Sequence, residues 1–185
     1  MGMIEKLYSD YSELINFLRK QQEISFENTV RSNFEKVFII AVTSFFEKEI
    51  KNLIIKYTEN NTNRNELLVN FIINKAVSRQ YHSFFDWTAN NANSFFGLFG
   101  PGFKSFMKEK VNTDQKLQDS IRAFLGLGDL RNKLVHNDYA SFTLDKTVEE
   151  IFNDFKLAEY FLRCLKEAFA NYINEDTQQA GAVDA

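Results

Sequence analysis

The stretch FENTVRSNFEKVFIIAVTSFFEKEIKNLIIKY, residues 26–57, decides the fold. Its apolar positions Val30, Phe34, Val37, Phe38, Ala41, Phe45, Phe46, Ile50, Leu53 and Ile54 recur at the three- and four-residue steps that line a helix. Neither proline nor glycine interrupts the run, so the spacing predicts one helix of roughly eight turns. Its middle, residues 37–46, is apolar nearly all round, which predicts enclosure by other helices or by a partner chain.

Outward from this element the same period continues. On the N-terminal side Ile4, Leu7, Tyr8, Tyr11, Leu14, Ile15 and Leu18 mark an amphipathic helix ending near Gln22. On the C-terminal side the asparagine-rich residues 58–65 read as a loop, followed by a helix over 66–79. Residues 84–106 gather phenylalanines around Gly97, Gly100, Pro101 and Gly102, and read as an aromatic insertion between core helices that packs on the bundle. Thr113 is a candidate N-cap for a helix carrying Leu117, Ile121, Phe124 and Leu125, in which Gly126 and Gly128 are expected to loosen or interrupt the winding. Thr147 and Glu150 suit the start of a last helix over 147–173, and the tail 175–185 is expected to be disordered. The expectation is an all-α antiparallel bundle forming one domain, residues 1–174.

Composition narrows the function. With 185 residues, 44% hydrophobic and 25% charged, the chain has ordinary globular usage. Twenty phenylalanines predict an aromatic-rich core. The single Cys164 excludes an internal disulfide, reads as a small core residue, and fits a reducing cytoplasm; with two histidines it offers no metal-ligand cluster. No run long and apolar enough for a membrane span appears, and the start MGMIEKLYSD lacks the pattern of a secretory leader. Net charge is −3, yet residues 101–136 hold seven basic against four acidic side chains. A local electropositive segment of that kind can draw in phosphate.

That segment ends in RNKLVH, residues 131–136, followed by Asn137-Asp138-Tyr139. An arginine fork clamps phosphate oxygens, and a histidine titrates near neutrality. Together they suit phosphodiester cleavage by an attacking 2′-hydroxyl, with Arg131 as clamp and His136 as general acid or base, and with neither metal nor cofactor required. On a regular helix a five-residue step separates the two by about 140°. Either the helix frays before His136, or a second copy of the motif completes the site.

Arg131, Asn132 and His136 together resemble the signature of the HEPN domains: arginine, a polar residue, a short spacer, then histidine. The wording RNKLVH is most similar to the RiboL-PSP subgroup, in which the motif joins the penultimate and final core helices. The resemblance covers residues 26–57 and 113–173, with 84–106 outside it. It implies an up-and-down helical bundle, usually a homodimer whose motifs face each other. Many HEPN proteins are metal-independent endoribonucleases of toxin–antitoxin, antiviral-defence or RNA-processing systems, paired with an antitoxin or another defence-system protein; others are non-catalytic modules for dimerisation or for binding proteins or nucleotides. Some carry a modifiable tyrosine two residues after the histidine, whereas here Tyr139 stands three after. Several place an acidic residue on an earlier core helix, and Glu47 is the matching candidate.

Each candidate has a plainer counterpart. Asn132 either orients the site or is a surface amide; Lys133, Arg122 and Tyr139 either contact RNA or simply meet solvent. His82, within an aromatic run and lacking an acidic or cysteine partner nearby in sequence, reads as structural.

Overall fold

The computed structural model describes residues 2–180, with side chains through Tyr172. Four long helices form the frame: α1 (Met3–Lys20), α2 (Ile24–Asn61), α7 (Gln115–His136) and α8 (Val148–Ala180). Between α2 and α7 lie α3 (Glu66–Ile72), running into a π-helical turn at Ile73–Val77, then α4 (Tyr81–Phe84), α5 (Asn93–Gly97) and α6 (Pro101–Thr113). Among the described residues there are no strands.

Ring contacts give the directions. Tyr8 and Tyr11 of α1 meet Phe38 and Phe34 of α2 in descending order, so these helices run antiparallel. Phe38, Phe46 and Tyr57 of α2 meet Phe152, Phe155 and Phe169 of α8 in ascending order, so those two run parallel. Helix α7 opposes α2, with Phe46 against Phe124 near its middle and Lys36 against Tyr139 just past its end. An up-and-down arrangement is the physical answer to several apolar helix faces that must be covered at once.

One core holds the chain together, and Phe124 sits at its crossing point. Its ring lies 5.4 Å from Phe46 of α2, 4.9 Å from Phe85 and 5.2 Å from Phe161 of α8. The aromatic segment 84–106 therefore does more than rest on the bundle. Phe84, Phe85, Phe95, Phe96 and Phe103 are all buried in that same core.

The structure corrects several local expectations. The cap of α7 is Asp114, whose Oδ1 accepts from the Leu117 amide at 3.0 Å; Thr113 closes α6 instead, its hydroxyl donating to the Glu109 and Lys110 carbonyls. A carboxylate beside free amides at a helix start gains from the helix dipole, which favours Asp114 for this place. Helix α7 passes Gly126 and Gly128 without a break. The other helices of the chain cover the middle of α2 only in part: Phe38, Ile39, Val42 and Phe46 are buried, while Val37 and Ser44 remain exposed along an open stripe, the side that the expected enclosure leaves to a partner chain. Helix α8 begins as expected, with Thr147 and Glu150 forming a reciprocal capping box at 2.8 and 3.2 Å. It then continues through residues 175–180, expected to belong to a disordered tail; residues 181–185 lie outside the described residues.

Candidate active site

The open stripe of α2 borders a narrow cleft with three walls. Ile40, Thr43, Ser44 and Glu47 come from α2, Phe124, Gly128, Arg131 and Asn132 from α7, and Tyr81, His82 and Trp87 from α4 and the chain after it. On each long helix these positions follow the three- and four-residue steps of one face. Gly128 explains how the third wall approaches so closely. A Cβ at this glycine would sit 2.0 Å from Cε3 of Trp87, so only the bare backbone admits the indole. The Trp87 Nε1 in turn donates to the His82 carbonyl at 2.9 Å, clamping α4 onto α7 one turn before Arg131.

Arg131 and Asn132 are half-buried in the cleft, and the Arg131 Nη1 donates to the Asn132 Oδ1 at 3.3 Å. His136 is the last helical residue of α7 and is exposed, so the helix does not fray before it. The backbone angle between Arg131 and His136 remains awkward, but Asn132 lies four residues before His136 and about 40° from it around the axis. By drawing the guanidinium toward Asn132, the hydrogen bond turns it toward the side of the helix that carries His136.

The loop behind His136 is pinned. Asn137 Nδ2 donates to the Lys133 carbonyl at 2.7 Å and satisfies the end of α7. The Asp138 carboxylate accepts from the Ser141 hydroxyl at 2.8 Å and the Ala140 amide at 3.3 Å, which holds its pKa below the ordinary value. Lys36 of α2, only 8% exposed, donates from Nζ to the Tyr139 carbonyl at 2.7 Å, with the Tyr139 ring centre 5.2 Å away. Sequence reading missed Lys36, since nothing local distinguishes it from a solvated lysine.

The remaining candidates separate. Glu47 shares the cleft with Arg131 and Asn132, but its carboxylate is paired with Lys51 of the next turn at 2.5 Å. Lys133 pairs with Asp129 at 2.8 Å and Arg122 with Asp119 at 2.9 Å, both along the surface of α7 and outside the cleft walls. Tyr139 turns a half-exposed ring outward beside the motif. His82, read as structural, stands in the cleft with Arg131. Burial and the Arg131 charge lower its pKa, and Glu47 opposes them. Burial, with the charge of Glu47, pushes the Tyr81 phenol up. Among the described residues no three His, Cys, Asp or Glu side chains are grouped to hold a metal ion, and no helix is long and apolar enough to cross a membrane.

A guanidinium, an amide and the His82 imidazole line a solvent-open cleft, with the exposed His136 one turn further along α7, a set of groups able to hold an anion and to move protons. An all-α bundle closing its penultimate long helix with such an Arg-x4-His motif is a HEPN domain. The model of the RiboL-PSP-HEPN family matches residues 5–171, and the chain belongs to that family. The match runs across residues 84–106, in agreement with their place in the core. Neither the curated proteins nor the solved structures yield a match.

Proposed function

We propose that this chain is an endoribonuclease that cleaves RNA through attack of a 2′-hydroxyl on the adjacent phosphate, with no metal required. The observation that carries the reading is the Arg131–Asn132 pair in an open cleft, with the exposed His136 one turn further along α7. HEPN domains are often ribonucleases and often dimerise, which supports the same reading. Arg131 holds the non-bridging oxygens and offsets the charge that grows on them as phosphorus becomes five-coordinate. His136 moves a proton at the attacking or the leaving oxygen. Asn132 orients the guanidinium. Glu47, close by but paired with Lys51, tunes the local field rather than touching substrate.

The working form we propose is a homodimer that sets two such clefts side by side. In support, Val37, Val135 and Tyr139 are exposed at 49%, 43% and 50% around the motif, and the open stripe of α2 continues from them. The cytoplasmic setting we propose is a toxin or antiviral effector held in check by a partner protein. Purified protein incubated with mixed RNAs in EDTA is expected to fragment them, whereas Arg131→Ala and His136→Ala are expected to lose about 100-fold or more in rate. Equal cleavage by parent and both variants contradicts the reading.

A second reading, a non-catalytic partner-binding module, draws on one observation. Helix α3 turns Leu67, Leu68 and Phe71 outward, at 82%, 51% and 63% exposure. That reading predicts no cleavage of any RNA, and complexes that survive His136→Ala.

A further inference from the structure

We propose that His82 is a second proton-transfer residue, taking the proton of the attacking 2′-hydroxyl while His136 protonates the leaving 5′-oxygen. The proposal rests on the ribonuclease reading above and supplies what that reading lacks. Transesterification moves two protons, one from the nucleophile and one to the leaving group, and a single imidazole in the wrong protonation state blocks one of them.

Geometry carries the assignment. His82 lines the same cleft as Arg131 and Asn132, although 49 positions separate it from Arg131 in the chain. Its place there is fixed by backbone, since the His82 carbonyl accepts from the Trp87 indole at 2.9 Å and that indole fills the gap left by Gly128. The structural work thus falls to the carbonyl. The imidazole is exposed at the mouth of the cleft, with the Tyr81 ring centre 5.9 Å away. A histidine serving the core would be covered.

The charges around the ring agree. Arg131 and His136 face it from α7, Glu47 and Lys51 from α2, and Tyr81 from α4 itself. Burial first, then the Arg131 and Lys51 charges, lower its pKa against the pull of Glu47, so it is held ready to accept a proton at neutral pH. His136, at the end of α7, is one of the charges that act on His82. In the step itself the 2′-oxygen forms its bond to phosphorus as its proton passes to His82. The bond from phosphorus to the 5′-oxygen breaks as His136 gives up its proton, leaving a 2′,3′-cyclic phosphate and a 5′-hydroxyl. Exchange with water restores both imidazoles.

The test is the pH–rate profile of parent and His82→Gln on one RNA substrate in EDTA, with thermal melting as a check on folding. The variant is expected to fall by about 100- to 10,000-fold in kcat with KM nearly unchanged, and to lose the acidic limb of the profile. Parent-like rate with both limbs intact overturns the proposal and leaves the Arg131–His136 reading standing. A slower variant that keeps its acidic limb overturns it too, because a supporting role lowers rate without removing that proton. A parent that leaves RNA intact overturns both. One arm is independent of activity: in NMR titration the His82 ring is expected to titrate at higher pH in Arg131→Gln than in the parent, and an unmoved midpoint contradicts the shared cleft.

Discussion

The Arg131 guanidinium donates to the amide oxygen of its own chain neighbour, Nη1 to Asn132 Oδ1 at 3.3 Å. Adjacent residues on a helix point about 100° apart, so this bond requires the long arginine side chain to bend around the axis toward Asn132. Removing the acceptor frees the guanidinium to swing into solvent. Asn132→Ala is expected to keep the fold, since the side chain is on the helix surface, and to lower kcat by about 10- to 100-fold, as misplaced catalytic groups do. Steady-state kinetics beside circular dichroism checks this; a fully active Asn132→Ala contradicts the orienting role.

Two glycines two positions apart on α7 are expected to respond in opposite directions. Around Gly126 a Cβ meets nothing within 4 Å, so Gly126→Ala is expected to stabilise by about 0.5–1 kcal/mol through helix propensity. At Gly128 the new Cβ lands 2.0 Å from the Trp87 ring. Displacing an indole wedged between helices costs about 1–3 kcal/mol or more, which outweighs the propensity gain. Chemical denaturation of the two variants measures the contrast, and a Gly128→Ala as stable as Gly126→Ala contradicts the clamp.

Lys36 fastens the loop behind the motif from 103 positions away. Lys36→Met keeps most of the length and apolar stem but leaves the Tyr139 carbonyl without its donor, at a cost of about 1–3 kcal/mol. Hydrogen exchange is expected to quicken at the Ala140 and Phe142 amides, which bond back to Asp138. Unchanged exchange across this loop indicates that Lys36 does not hold it.

Glu35 on α2 is partly buried, and burial, then the charge of Glu149, raises its pKa above the ordinary 4.5. The folded state therefore holds this proton more tightly than the unfolded chain, and stability drops as pH rises through the folded pKa. Glu35→Gln removes that loss. Its melting temperature is expected to exceed the parent's at pH 7 and to match it at pH 4, below the ordinary value. A gain of equal size at both pH values contradicts the electrostatic cause.

What the sequence showed, it showed through local period and local chemistry. The long helices, the Thr147–Glu150 box and the placing of Arg131 on a helix with His136 at its end all follow from residues within a turn or two of each other. Three features did not. Gly128 reads as loosening its helix until Trp87 is set against it, Lys36 carries no local signal until the Tyr139 carbonyl lies beside it, and His82 reads as structural until α2 and α7 close around it. Each depends on a partner far away in the chain, brought near only by the bundle. The aromatic segment 84–106 looked peripheral for the same reason: its role rests on where Phe85 and Phe95 meet Phe124 and the core behind it.

The most direct test of the account is the chemistry of the ends. A DNA oligonucleotide containing a single ribonucleotide, cut by the parent protein in EDTA, is expected to yield a 2′,3′-cyclic phosphate and a 5′-hydroxyl at that position alone. Arg131→Ala and His136→Ala are expected to leave it almost whole. Cleavage that leaves a 3′-hydroxyl and a 5′-phosphate, that ignores the ribonucleotide, or that persists undiminished in both variants contradicts the mechanism.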